Sequence, residues 1–250
     1  MENASALKKL LEKEYKYRIE LHAHTTPVSH CGHKSPEEQV ELYKKAGFDG
    51  IVIINHFLRY PSENGEEYLK GCDKKERLDF YCEGYEKAKK HGDTLGIAVY
   101  FGAELRFDDS PNDYLLYGVD RDILEKVYDL LPYGIENFRK NLALSDSVLV
   151  WAHPGRNGMA PCDTSLVDGI ETFNMHPGHN GRIGIAARLA NNAQVNIKTC
   201  GSDCHNDVEG VVGISALRTK TLPKDSFELA KLLKENDYVF EIGGTSLVLP

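Results

Sequence analysis

The feature that most constrains this chain is a recurring junction: a short apolar run, then a histidine, aspartate or glutamate within a residue or two of its end. Residues 17–21, 51–54, 97–103, 114–119, 148–152, 169–173, 195–200 and 238–242 read as strands, rich in β-branched and aromatic side chains. Between them, residues 36–46, 76–91, 120–130, 135–144, 182–191 and 225–235 read as helices. Residues 1–18 interleave Lys and Glu with apolar positions and read as a surface helix, and the polar stretch 59–75 reads as a mobile loop. Strands separated by helices imply a parallel sheet. No composition break, linker or repeat divides the chain, so one domain over residues 1–250 is expected. Seven or eight strands in one domain favour a closed or nearly closed α/β barrel of TIM-barrel type. An open doubly wound sheet is the alternative.

In a barrel, the residues that follow the strands gather on one rim, where barrel active sites lie. That rim would receive His22 and His24, then His56, Glu104, His153, Glu171 and Asn174, and finally Asp203 and His205. Within the pairs His22/His24 and Asp203/His205 one residue intervenes, and alternate residues of an extended chain point the same way. Imidazole nitrogens and carboxylate oxygens suit Zn, Mn and Fe, and a carboxylate such as Glu104 can bridge two cations. Singly, each residue has an ordinary explanation. A strand-end histidine usually only hydrogen-bonds, Asp203 could cap a helix, and Glu104 could pair with Arg106. Jointly, ten histidines in 250 residues should not land repeatedly at strand ends, and a metal centre accounts for the pattern better.

Composition narrows the function. The 41% hydrophobic content suffices for a sizeable core, and the net charge of -8 disfavours long nucleic acid, which requires a basic face. A small anionic substrate is compatible, because bound cations reverse the local field. No apolar run approaches the roughly 20 residues of a membrane span, and the N-terminal stretch lacks a signal-peptide core. A cytoplasmic protein with no membrane partner is therefore expected. Its six cysteines include no CxxC pair and read as free thiols.

Five segments resemble the PHP (polymerase and histidinol phosphatase) superfamily in the family's order: Glu20-Leu-His-Ala-His-Thr25, Gly50-Ile-Val-Ile-Ile-Asn-His56, Gly102-Ala-Glu104, Ala152-His-Pro-Gly155 and Gly201-Ser-Asp-Cys-His205. The stretch from Ser35 to Gly50 also looks like that family's first helix. The resemblance implies a distorted (β/α)7 barrel with two or three divalent metal ions (Zn, Mn or Fe). It implies that His22, His24, Glu104 and Asp203 hold one ion, with Glu104 bridging. His56, His205 and His153 match further ligand positions. Three places depart from the pattern. Asn55 stands where the family often has Asp. The third first-motif ligand falls on His30 by spacing, with His33 as rival. A histidine expected at the fourth strand is missing, and Asp113 stands near its place.

The resemblance implies hydrolysis of a small phosphorylated substrate, histidinol-phosphatase-like, with a metal-lowered water pKa near ~7 supplying hydroxide. Asp203 is a candidate for moving the proton. Arg156, three residues after His153, is the strongest candidate to bind phosphate, ahead of Lys34, Arg59 and Arg182. His176 and His179 either shape the pocket or sit in a loop. Two other readings compete. An amidohydrolase-type barrel also opens with HxH, but usually carries a bridging lysine on the fourth strand, and residues 114–120 contain none. A non-catalytic metal-binding barrel is the third.

Overall fold

The computed structural model describes residues 2–59, 71–205 and 210–250. Most of the expected 59–75 loop lies outside the described residues. In chain order the elements are α1 (Glu2–Glu14), β1 (Tyr17–Ala23), α2 (Pro36–Lys45), β2 (Gly50–Ile53), β3 (His56–Phe57), α3 (Lys74–Leu95), β4 (Ala98–Arg106) and β5 (Asp113–Tyr117). There follow α4 (Arg121–Leu130), α5 (Gly134–Asn141), β6 (Val148–Trp151), β7 (Gly169–Asn174), α6 (Ile183–Ala193), β8 (Ile197–Gly201), β9 (Ser215–Thr219), α7 (Ser226–Glu235), β10 (Tyr238–Ile242) and β11 (Ser246–Val248).

Local chemistry sets the boundaries. Ser35 and Glu38 form a reciprocal capping box that starts α2, with Pro36 at its first position. Asp73 and Glu76 do the same for α3, which stops where Gly96 takes up φ 65. The run Ile51-Val-Ile-Ile54 is buried throughout, as a strand covered on both faces must be. Each such aliphatic side chain is worth about 1.5–3 kcal/mol of burial.

One sheet carries the structure, in the order β11-β10-β9-β1-β2-β4-β5-β6-β7-β8, with β3 paired to β4. It curls so that the chain just past β8 returns to β1. Ala23 bridges Cys204, His24 N–H donates to Cys204 O (2.9 Å) and Cys204 N–H donates to His22 O (3.3 Å). The sheet is mixed α/β and barrel-like, but not the fully parallel sheet expected. β5 runs antiparallel to both β4 and β6, reached from β4 by a short loop instead of a helix. β9, β10 and β11 form an antiparallel extension beside β1.

The reversal of β5 has a consequence for the site. Being antiparallel to both neighbours, it leaves β4 and β6 parallel to each other. β1, β2, β4, β6, β7 and β8 therefore run one way and end on one rim. β5 contributes its first residue, Asp113, to that same rim, opposite Arg106. No helix among the described residues is long and apolar enough to cross a membrane.

Candidate metal centre

The rim gathers seven of the eight expected ligands, all but His30. His22 lies in β1 and His24 follows it; His56 begins β3; Glu104 lies in β4; His153 follows β6; Asp203 and His205 follow β8. His22 and His24 are 0% exposed, and Glu104, His153 and Asp203 are each 1% exposed. His22 Nε2 stands 3.1 Å from His24 Nε2, 3.4 Å from Asp203 Oδ1 and 3.6 Å from Glu104 Oε1. His24 Nε2 is 3.2 Å from Asp203 Oδ1 and 3.3 Å from Glu104 Oε2. Glu104 Oε2 is also 2.8 Å from His56 Nδ1, and Glu104 Oε1 is 3.1 Å from His153 Nε2. Glu104 thus occupies the middle of the cluster, touching four imidazoles.

Surrounding residues fix which nitrogen each imidazole offers inward. Glu171, buried in β7, accepts from His22 Nδ1–H at 2.9 Å through Oε1, leaving His22 Nε2 free. Its Oε2 accepts from His153 N–H (3.0 Å) and Asn174 Nδ2 (3.0 Å). His24 Nδ1 faces Ser29 Oγ at 3.2 Å, and the Ser29 hydroxyl donates to Asn55 Oδ1 at 2.9 Å. Asn55 Oδ1 also accepts from Thr25 N–H, and Asn55 Nδ2 donates to Thr25 Oγ1. The amide therefore does at position 55 what a carboxylate could not, acting as acceptor and donor together. His205 Nδ1–H donates to its neighbour Asp203 O at 2.6 Å.

Two of these residues hold unusual backbone. His153 sits at φ 30 and Asp203 at φ 52, left-handed conformations that cost non-glycine residues about 1–3 kcal/mol. At both positions the turn aims the side chain into the rim.

The arrangement fits divalent ions. His153 Nδ1 is buried with no hydrogen-bond partner among the described residues, and the His56 Nδ1–Glu104 Oε2 contact at 2.8 Å is an ion pair without hydrogen-bond geometry, a cost that a cation would remove. Three sets of donors lie close enough to hold an ion, each within 4.8 Å: His22, His24 and Asp203; His24, Cys31, His56 and His205; and His56, Glu104 and Asp113. The third is compromised, because Arg106 already grips both Asp113 oxygens, at 2.6 and 2.7 Å.

The buried carboxylates and imidazoles set one another's protonation. Burial would raise the Glu104 carboxyl, but the charges of His56 and His22 outweigh it and hold Glu104 well below the usual range. Burial would likewise raise Asp203, and His22 with the hydrogen bonds of His179 and His24 brings it well below. Burial would depress His22, yet Glu171, Asp203 and Glu104 hold it well above its ordinary value. For His24 burial prevails, aided by the charge of His205, so that imidazole stays neutral.

Three further expectations meet the structure here. His30, favoured by spacing, is exposed and stands apart from the cluster, as does His33. The residue between them, Cys31, turns in instead, and the sequence reading did not single it out. Burial would raise the Cys31 thiol, but hydrogen bonds with His205 and His56 bring it to about 6. Arg156 is half-buried, and its guanidinium has no carboxylate or carbonyl partner among the described residues. Arg182 is committed to Gly155 O and Asn157 Oδ1. His176 and His179 stack at 4.0 Å over the rim, and His179 Nδ1 lies 3.2 Å from Asp203 Oδ2. Burial and the charge of His179 depress His176 to about 4.

No protein-family model and no curated protein matches the sequence. Solved structures do match. A two-domain protein from Bacteroides vulgatus ATCC 8482, containing a predicted PHP-like metal-dependent phosphoesterase, aligns over 91% of this chain at 16% identity with a TM-score of 0.60. This chain spans 65% of that protein's length. An amidohydrolase from Chromobacterium violaceum, with bound sulfate and no metal, aligns at 13% identity with a TM-score of 0.50, covering 78% of this chain and 89% of that one. PsfC from Pseudomonas syringae PB-5123 aligns at 16% identity with a TM-score of 0.50, covering 80% and 81%. The chain therefore shares its fold with structures named as a predicted PHP-like metal-dependent phosphoesterase and as an amidohydrolase.

Proposed function

We propose that the chain is a metal-dependent phosphoesterase acting on a small phosphomonoester. In this reading His22, His24, His56, Glu104, His153, Asp203 and His205 hold two divalent ions, Zn, Mn or Fe. The observation that carries the reading is the central position of Glu104, whose two oxygens face different histidines. A carboxylate so placed suits a bridge between two ions. Ions held there would supply Lewis acidity and a water acidic enough to act as nucleophile near neutral pH.

The chain's own residues do the rest. Arg156, lacking an internal partner, is the guanidinium available to a phosphate, which it can grip bidentately. Asp203 presents Oδ1 to His22 and His24 and Oδ2 to Asn174 and His179. Kept ionised, it serves as ligand and acceptor, and His179 at 22% side-chain exposure connects it to solvent for proton movement. The stacked pair His176/His179 stands beside His205 and would flank a bound substrate.

A second reading, C–N bond hydrolysis, has the fold of the Chromobacterium violaceum amidohydrolase in its favour. β5 lacks the lysine that such sites usually use. The test is a panel of phosphomonoesters and N-acyl substrates, after reconstitution with Mn²⁺, Fe²⁺ or Zn²⁺. Metal-dependent phosphate release, lost in Asp203→Ala, is expected. Turnover confined to N-acyl substrates would replace the proposal with the second reading. A fully metal-loaded protein inert toward both would make it a non-catalytic barrel.

A further inference from the structure

Cys31 offers its sulfur to the rim, although neither the motif spacing nor the proposed ligand set uses it. It lies on the loop between β1 and α2, and that loop is tightly folded. Thr26 N–H donates to Lys34 O, Ser29 N–H to Thr25 O, Gly32 N–H to Ser29 O and His33 N–H to His205 O. A Cβ on Gly32 would meet Thr25 C at 2.9 Å and Thr26 N at 3.0 Å, so the turn packs backbone on backbone and tolerates only glycine there. This turn leaves His30 and His33 facing solvent and points Cys31 inward, where its sulfur joins donor atoms of His24, His56 and His205 within 4.8 Å of one another. A second observation points to a cation at this place. Glu104 is 1% exposed, and its Oε2 faces two imidazole nitrogens, His56 Nδ1 at 2.8 Å and His24 Nε2 at 3.3 Å, without hydrogen-bond geometry to either.

The two donor groups differ in chemistry. His24 has Nδ1 engaged by Ser29, so only Nε2 can ligate, and that atom already lies against His22 and Asp203. One ion then takes a nitrogen and oxygen set centred on His22, His24 and Asp203. The other is left with Cys31, His56 and His205, a sulfur and two nitrogens. Thiolate is a soft ligand that selects zinc over manganese, and with an oxygen of Glu104 these donors would make up the four-ligand set that zinc favours.

We propose that Cys31, not His30 or His33, ligates the metal at the His56/His205 position and makes that position zinc-selective, while the His22/His24/Asp203 position remains a harder nitrogen and oxygen site. This rests on the phosphoesterase reading only in taking the rim to be a metal centre.

Cobalt(II) reports the ligand directly, because a thiolate gives a charge-transfer band in the near ultraviolet that imidazole and carboxylate do not. Cobalt titration of the metal-free protein is expected to give that band in the wild type. The band should disappear, with one equivalent of bound cobalt, in Cys31→Ser, and persist in His30→Ala and His33→Ala. Cys31→Asp should restore the equivalent without the band. Independently of any variant's folding, iodoacetamide labelling of the wild type, mapped by mass spectrometry, should reach Cys31 in the metal-free protein and be blocked when zinc is bound. A band that survives Cys31→Ser, or labelling of Cys31 that zinc does not slow, overturns the proposal. Phosphate-ester turnover without the band would sink the thiolate ligand and spare the phosphoesterase. The band without turnover would do the reverse.

Discussion

Glu171→Gln offers a sharp probe of the site, because it changes no shape and only one charge. Glu171 uses its two oxygens for different tasks: Oε1 accepts from His22 Nδ1–H, and Oε2 accepts from His153 N–H and Asn174 Nδ2. A glutamine has one acceptor to place. With the carbonyl toward His22, its NH2 would face two donors, and each buried clash costs about 1–3 kcal/mol. With the carbonyl toward His153 and Asn174, only the His22 contact changes, so this orientation wins. The amide NH2 then donates to His22 Nδ1 and drives the ring proton to Nε2, the atom that faces His24, Asp203 and Glu104. A protonated Nε2 cannot ligate. Loss of such a supporting carboxylate typically weakens metal binding about 10–100-fold, or roughly 1.4–2.7 kcal/mol. The assay is zinc competition against a chromophoric chelator, with far-ultraviolet circular dichroism to verify the fold. An unchanged zinc affinity in a folded Glu171→Gln protein would refute the claim that His22 binds through Nε2.

Three more predictions follow from the same geometry. At Gly201, an added Cβ would collide with His22 Cβ and come within 2.7 Å of Glu171 Oε1, so Gly201→Ala should displace that pair and reduce bound metal, read by elemental analysis, while a folded variant with full metal would contradict the packing. Burial raises Glu20 from 4.5 to about 7, so as pH rises through that window the folded metal-free chain keeps a proton that the unfolded chain has released, and stability present below the window is lost across it. At ~1.4 kcal/mol per pH unit the loss approaches ~3 kcal/mol, and Glu20→Gln should flatten the fall in stability between pH 5 and 7.5 in urea melts; identical falls in both proteins would show that Glu20 does not hold that proton. Finally, burial would depress His22 and His56 but nearby carboxylates hold both well above their ordinary value, so metal must expel protons to bind at neutral pH. Calorimetric zinc binding should be more exothermic in Tris than in PIPES and weaken as pH falls; equal heats in both buffers would mean that no proton leaves.

Much of the rim was legible in the sequence because it is local. A short β-branched run such as Ile51-Val-Ile-Ile54 favours a buried strand, and the residue types that follow strand ends follow by counting. Strand direction is not local. Nothing in Asp113-Tyr-Leu-Leu-Tyr117 says that it runs antiparallel, and its place at the rim, gripped by Arg106, emerges only from the pairing with β4. β9 escaped for the same reason: Ser215-Ala-Leu-Arg-Thr219 has little strand character, and its pairing with β1 and β10 holds it in place. His30 was chosen by spacing, which counts residues and ignores the backbone turn at Gly32 that faces Cys31 inward instead. Glu171 was visible as a carboxylate at a strand end, yet its part in orienting His22 needs the fold.

The central claim is that imidazoles and carboxylates from five strands share cations at one rim. Anomalous diffraction from zinc-loaded crystals, recorded on both sides of the zinc absorption edge, tests it most directly. The account predicts two peaks flanking the Glu104 carboxylate, one against His22, His24 and Asp203 and the other against Cys31, His56 and His205. Zinc found elsewhere on the molecule, with His22 and Asp203 still bonded only to each other and their protein neighbours, would contradict it.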